Sequence, residues 1–70
     1  LEANKKYYFQ ISLSKALDVA VINSKKWCYL NKVKDVFFGE VTPERGTIKI
    51  AAKYPDQGES YHKFLEYSVQ

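Results

Sequence analysis

The sequence has one cysteine and one histidine, Cys28 and His62, and their scarcity excludes several kinds of chemistry. A single cysteine cannot form an internal disulfide, which points to a reducing compartment. A metal site needs several sulfur or imidazole ligands, so we expect no bound metal. No glycine-rich turn or helix N-terminus presents Cys28 as a nucleophile. We therefore expect Cys28 to pack as a small hydrophobe and His62 to be a surface or hydrogen-bonded residue.

Other catalytic signatures are also missing. The three glycines are isolated and are explained by turns or a bulge, so no phosphate-binding loop or nucleophile elbow is present. The carboxylates are scattered, and several sit in turns rather than in a pattern that would converge them in a cleft. We predict a protein that is not an enzyme and needs no cofactor.

Long apolar runs, a signal-peptide pattern and glycosylation acceptors are absent as well. We expect a soluble, intracellular protein with no membrane contact. Residues 1–70 suffice for a single small β-rich domain, which buries only about 60% of its unfolded surface and often depends on a partner. Because the chain starts at Leu1 rather than Met, we interpret it as a fragment or a processed chain.

Arginine is nearly absent, since Arg45 is the only one among eleven basic residues. Lysine acts as a point charge and not as a bidentate reader of guanine, so any nucleic acid would be bound with little sequence specificity. The charge is also uneven along the chain. Residues 1–34 hold seven lysines and two acids, a balance of +5, whereas residues 35–70 hold four bases and six acids, a balance of −2. Such asymmetry can steer an anionic partner.

Aromatic residues are abundant, with six Tyr, four Phe and one Trp, and most clusters directly follow lysines. The clearest examples begin at Lys5 and Lys25. A lysine beside a ring is typical of a surface that binds phosphates and bases. It is also typical of an ordinary strand, whose ring points inward and whose ammonium points outward.

Alternation of apolar and polar residues with a period of two predicts short strands throughout the chain. A helix capped by Ser14 is the alternative over 14–22, and a short helical turn is the alternative near the C-terminus. We predict a bulge near Gly39 that lets Phe37 and Phe38 both reach apolar surroundings. The predicted strands cover 5–13, 17–22, 26–30, 33–41, 47–54 and 61–69, and predicted turns include 14–16, 23–25, 31–32, 42–46 and 55–58.

Five or six such strands predict a mainly β fold. We expect a small, antiparallel, strongly bent barrel of the SH3-like or OB-like kind, and an α+β domain is the alternative. If Tyr7 and Phe9 point inward, Tyr8 points outward with Lys6. By the same alternation, Trp27 and Tyr29 share one face of their strand, and Lys26 and Cys28 share the other.

The lysine-aromatic segments are therefore the candidate binding surface. We predict a non-catalytic module that contacts DNA or RNA through lysines and exposed rings. The alternative is a protein-interaction or self-assembly domain, a homodimer included, because exposed tyrosines and free strand edges suit both. The candidate ligand-binding residues are Lys5, Lys6, Tyr8, Lys25, Lys26, Trp27, Tyr29, Lys32 and Lys34.

Overall fold

The computed structural model describes all residues from Leu1 to Gln70 and confirms a mainly β fold. Seven strands are present, and the only helical element is a 3₁₀ turn at Pro55–Gln57. The strands are β1 (Tyr7–Ser12), β2 (Asp18–Asn23), β3 (Lys26–Tyr29), β4 (Asn31–Val33), β5 (Val36–Val41), β6 (Gly46–Lys53) and β7 (Tyr61–Val69). The helical alternatives are excluded, because the segments in question form β2 and β7. With three residues, this 3₁₀ turn could not span a membrane, and no other helix is present.

The strands form two antiparallel sheets. One has three strands in the order β1-β5-β4, and the other has four in the order β3-β2-β6-β7. The chain passes from the larger to the smaller sheet at Leu30, which is buried and donates its backbone N–H to the carbonyl of Val19 at 3.0 Å. A strand that changes sheets at a corner in this way gives a strongly bent fold without a closed barrel.

The core lies between the inner faces of the two sheets. Phe37 from the three-stranded sheet is fully buried and packs with residues of β2 and β6 in the other sheet. Period-two alternation explains the pattern, because every second residue of these strands is apolar and faces inward. The inward residues of β2 and β6 are Val19, Val21, Ile48, Ile50 and Ala52. Phe9 packs against this core, as the sequence predicts, and so does Tyr54, which follows the last inward residue of β6 at the same period of two.

Two local predictions are wrong. The predicted turn at Asn31–Lys32 is the start of β4, and the turn lies instead at Lys34, whose φ is 55°. This raises the strand count to seven. The predicted bulge at Gly39 is also absent, because β5 pairs with β1 without a register shift. Phe37 therefore points inward and Phe38 points outward to solvent.

Gly39 instead makes room for a neighbouring side chain. A Cβ at this position would lie 2.9 Å from Cδ2 of Leu30, so the absence of a side chain lets Leu30 fill the corner between the sheets. A bulge does occur, but in β7. Ile50 pairs with Leu65 and Ala51 pairs with Lys63, which leaves Phe64 as the extra residue. This bulge explains why Lys63 interrupts the alternation of β7.

The loop between β5 and β6 is held by Asn23, a buried polar residue at the end of β2. Its side-chain amide donates to the carbonyls of Thr47 at 2.7 Å and Glu44 at 3.3 Å. Its Oδ1 accepts the backbone N–H of Glu44 at 2.6 Å. The Asn23 side chain thus satisfies its own polar groups and fixes the loop, as a buried polar group must.

Candidate functional site

Two large rings lie side by side on the outer face of the four-stranded sheet. Trp27 and Tyr29 are 48% and 59% exposed, and their ring centroids are 6.1 Å apart at an interplanar angle of 29°. They share a face because they are two residues apart on β3, as the alternation predicts. Cys28 points to the opposite side, where it packs against the core and its Sγ lies 3.8 Å from the carbonyl oxygen of Glu40.

A third ring completes the cluster. Tyr61 belongs to β7, which β2 and β6 separate from β3, yet its ring centroid lies 5.3 Å from Trp27 and 6.3 Å from Tyr29. Its hydroxyl donates a hydrogen bond of 2.7 Å to Oδ2 of Asp18 on β2. The Tyr61 side chain therefore leans across β6 and β2 to reach the other two rings. We call Trp27, Tyr29 and Tyr61 the aromatic platform.

Small residues beneath the platform make this reach geometrically feasible. Ala20 pairs with Tyr29 and with Ala51, and all of these point to the outer face. The alanines lie on a face that is otherwise open, but their exposed fractions are only 0% and 3%. The platform rings cover them. A larger residue at either position would occupy the space of the Tyr61 ring.

The Tyr61 hydroxyl is held as a donor. Desolvation under the neighbouring rings, the hydrogen bond to Asp18 and the charge of that carboxylate all raise the pKa of Tyr61 well above its usual range. The other oxygen of Asp18 accepts the backbone N–H of Val19 at 2.9 Å, which orients the carboxylate. Tyr61 is thereby fixed at both ends and braces Trp27 and Tyr29.

Three lysines share this outer face. Lys63 forms an ion pair with Glu66 at 2.8 Å, and this hydrogen bond, together with the lysine charge, lowers the pKa of Glu66. Lys49 and Lys53 belong to none of the four ion pairs of the chain, nor does Lys25 in the turn before β3. The face therefore combines exposed rings with lysines that form no ion pair, although Lys49 faces Glu66 and Lys53 faces Asp18 across the strand pairs.

Several predicted site residues lie elsewhere. Lys5 pairs with Glu2, and Lys6 approaches Glu40 at 3.9 Å. Lys26 points away from the platform, and its ammonium lies 2.8 Å from a carboxylate oxygen of Glu44.

Two further predicted lysines sit on or near β4. Lys32 donates to the carbonyl of Ala16 at 2.8 Å and lies 5.5 Å from the Phe37 ring centroid, so it closes one end of the core. Lys34 occupies the turn between β4 and β5. Of the predicted lysines, only Lys25 and Lys34 make no internal bond through the ammonium.

Tyr8 is the most exposed large ring, at 76%, but it does not join the platform. It lies on the outer face of the three-stranded sheet, beside its cross-strand partner Glu40 and near Phe38. A shallow cavity of about 670 Å³ opens there, lined by the two rings, Gln10 and Asn31 among others. The predicted patches around Tyr8 and Trp27 are thus separate surfaces on the two outward-facing sides of the molecule.

Tyr61 was missed because its segment fits a helix as well as a strand. The signal in the sequence is the pair of alanines, since Ala20 and Ala51 occupy outward positions where polar residues are usual. No family model, curated protein or solved structure matches the chain.

Proposed function

We propose that the protein binds single-stranded nucleic acid on the outer face of the four-stranded sheet. The observation that carries this proposal is the aromatic platform, whose two half-exposed rings on β3 are braced from the side by Tyr61. Bases stack on such rings, and each stacked base contributes roughly 1–3 kcal/mol. A ring that is already fixed loses little conformational entropy when a ligand stacks on it.

The phosphates would be bound by Lys25, Lys49 and Lys53. These lysines lie on or beside the same face and make no ion pair within the chain. Lysine provides charge without a fixed hydrogen-bonding fork, so we expect little sequence preference. An intracellular setting, in which Cys28 stays reduced, belongs to this proposal.

Fluorescence tests the proposal directly, because Trp27 is the only tryptophan and belongs to the platform. We expect a single-stranded oligothymidine of about 12 nucleotides, long enough to cover the aromatic platform, to quench Trp27 emission. The affinity should fall with salt, by about 0.7 log units per log unit of salt for each phosphate contact. No quenching, or quenching that does not respond to salt, would contradict binding through phosphate contacts and stacked bases.

Matched tyrosine variants localise the site. Tyr29→Ala should weaken binding about 5- to 150-fold, the equivalent of one lost stack. Tyr8→Ala removes a ring that is even more exposed but lies on the other sheet, and it should leave the affinity unchanged. Equal losses in the two variants, or no loss in either, would rule out the platform as the binding site.

A second candidate function is supported by the outer face of the three-stranded sheet. Tyr8, Phe38 and Val33 are exposed there, and the charges of Lys6 and Glu40 offset each other. Exposed rings with little net charge are typical of protein interfaces. A photo-crosslinking residue at position 8 should then link one defined protein, and Phe38→Ser should abolish the product. The same residue placed at position 29 serves as the control. Equal labelling from both positions would contradict a specific interface.

A further inference from the structure

Strand β7 is a free edge of the four-stranded sheet. It is the longest strand, with nine residues, and pairs only with β6 along one side. A long free edge presents unpaired N–H and C=O groups that can accept another strand. The inner side of the same strand is also incompletely covered. Leu65 and Tyr67 point towards the core side, opposite Ile50 and Ile48, but are 41% and 45% exposed.

The exposed side chains of Leu65 and Tyr67 border an apolar groove. A cavity of about 450 Å³ lies between β1 and β7 and is lined by Tyr7, Phe9, Ile50, Leu65 and Tyr67 among others. The smaller sheet has only three strands, and no fourth strand continues it beyond β1 to shield these side chains. The groove and the free edge of β7 therefore lie next to each other, at the position where a further strand could pair with β7.

The far end of this edge already binds an extended segment. The N-terminal amine of Leu1 donates to the carbonyl of Ser68 at 2.9 Å, and the N–H of Gln70 donates to the carbonyl of Leu1 at 2.8 Å. Ala3 then donates to Gln70 at 2.8 Å. This is the bonding pattern of a short parallel ladder. The backbone of β7 is thus oriented to pair along its outer side at Ser68 and Gln70.

The side chains of 62–67 form a self-complementary pattern, in which charged residues of opposite sign occupy mirrored positions. Lys63 and Glu66 are equidistant from the midpoint between Phe64 and Leu65. The bulge at Phe64 places Lys63 and Glu66 on the same face although they are three residues apart, as their cross-strand partners Ala51 and Lys49 show. An antiparallel copy of the strand therefore presents opposite charges at the mirrored positions.

We propose that two copies of this chain associate through antiparallel pairing of residues 62–67 of β7. In this register Lys63 faces Glu66 of the second copy, and Phe64 faces Leu65 of the second copy. The third pair joins His62 to Tyr67, whose exposed ring would be covered in the groove. Each pair occurs twice around the two-fold axis, as a self-complementary interface requires. The two charges do not block the edge; they select one partner and one register.

Pairing through β7 would join the two four-stranded sheets into one sheet of eight strands. Both aromatic platforms would then lie on the same continuous face, with the two β3 strands about 34 Å apart at the usual strand spacing. Such spacing suits a long ligand that engages two sites at once. This consequence rests on the proposed nucleic-acid function, whereas the pairing itself does not.

Charge reversal with mixing tests the pairing. We expect the unmodified chain to dimerise in sedimentation experiments as its concentration is raised towards about 1 mM, the range suited to a small interface. Lys63→Glu and Glu66→Lys should each weaken self-association about tenfold, because two attractive pairs become two repulsive pairs. An equimolar mixture should restore dimers, since each variant supplies the charge that the other lacks. Native mass spectrometry should show these dimers to be mixed.

The double variant separates the pairing from the ion pair within the chain. Lys63→Glu with Glu66→Lys keeps an internal pair and should dimerise with itself but not with the unmodified chain. Lys34→Glu, in a turn away from β7, controls for net charge and should dimerise normally. A chain that stays monomeric throughout the range, or single variants that associate as well as the original, would overturn the proposal. So would a mixture that gains no dimer.

Discussion

The two outer faces of the protein both carry exposed rings beside lysines, but they organise them differently. On the three-stranded sheet, Tyr8 stands alone, and the nearby lysine Lys6 approaches Glu40. On the four-stranded sheet, three rings contact one another, and two lysines, Lys49 and Lys53, form no ion pair. The same local sequence pattern thus produces an isolated ring on one face and a braced platform on the other.

The difference arises from cross-strand neighbours. Tyr8 faces Glu40, a long charged residue that fills the space beside the ring. Tyr29 faces Ala20, and the next residue across is Ala51. Two small residues in one row leave a channel that a ring from a distant strand can occupy. A binding surface is therefore specified by what lies between the rings as much as by the rings themselves.

Filling that channel should produce the largest effect. Ala20→Leu adds three carbons at a fully buried position beneath the platform. We expect a loss of about 1–3 kcal/mol in the free energy of unfolding because the rings must move to make room. Urea denaturation measures the loss, and Trp27 emission should shift to the red as the ring becomes more exposed.

The matched control is Gln10→Leu, which places the same side chain on the exposed outer face of β1. Its free energy of unfolding should change by no more than about 0.5 kcal/mol. If Gln10→Leu and Ala20→Leu lower the free energy of unfolding equally, the small residues beneath the platform do not distinguish the two faces.

Removing the Tyr61 hydroxyl should have the next largest effect on the free energy of unfolding. Tyr61→Phe keeps the ring but deletes the 2.7 Å hydrogen bond to Asp18. We expect a loss of about 1–2 kcal/mol, since the deleted bond has a carboxylate acceptor. The control is Tyr67→Phe, which removes a hydroxyl from an exposed ring of the same strand and should have little effect.

The contribution of Tyr61 to stability should depend on pH with a defined sign. Because the pKa of Tyr61 is raised in the folded state, its stabilising contribution is complete below the ordinary tyrosine pKa of about 10 and is lost as pH rises further. The stability difference between the unmodified chain and Tyr61→Phe should be constant from neutral pH to about pH 9 and should shrink above about pH 10. A difference that grows with alkaline pH would contradict the assigned hydrogen bond.

Much of the fold follows from the sequence, but the platform does not. Alternation places Tyr7, Phe9 and Tyr54 inward correctly, because each strand has one apolar side and one polar side. It also predicts that Trp27 and Tyr29 share a face. Register between distant strands is not encoded in any one segment, so nothing in the segment around Tyr61 indicates that its ring reaches β3.

The ion pairs could not be predicted from the sequence for a similar reason. The excess of lysine before residue 35 indicates a basic half, but the pairing of Lys6 with Glu40 and of Lys26 with Glu44 depends on how strands align. Acids from the second half of the chain neutralise lysines from the first. A charge balance counted along the sequence therefore overstates the positive surface of the folded chain.

Removing one lysine should weaken oligothymidine binding less than removing one ring does. A salt titration can measure the smaller change. Lys49→Gln and Lys53→Gln should each reduce the salt dependence of oligothymidine binding by about 0.7 in the log–log slope. Lys5→Gln and Lys6→Gln remove the same charge from ammonium groups that already form ion pairs within the chain. Those variants should leave the slope unchanged. Equal changes across all four would mean that net charge, and not the platform face, controls binding.

The smallest effect is expected at the most exposed ring. Tyr8→Thr keeps a residue that favours strands and removes a side chain that makes no hydrogen bond. The free energy of unfolding should change by about 0.5 kcal/mol or less, and oligothymidine affinity should stay the same. A thermal melt and a fluorescence titration check both. If Tyr8→Thr lowers nucleic-acid affinity as much as Tyr29→Ala does, the binding surface wraps around both sheets and the contrast between the two faces fails.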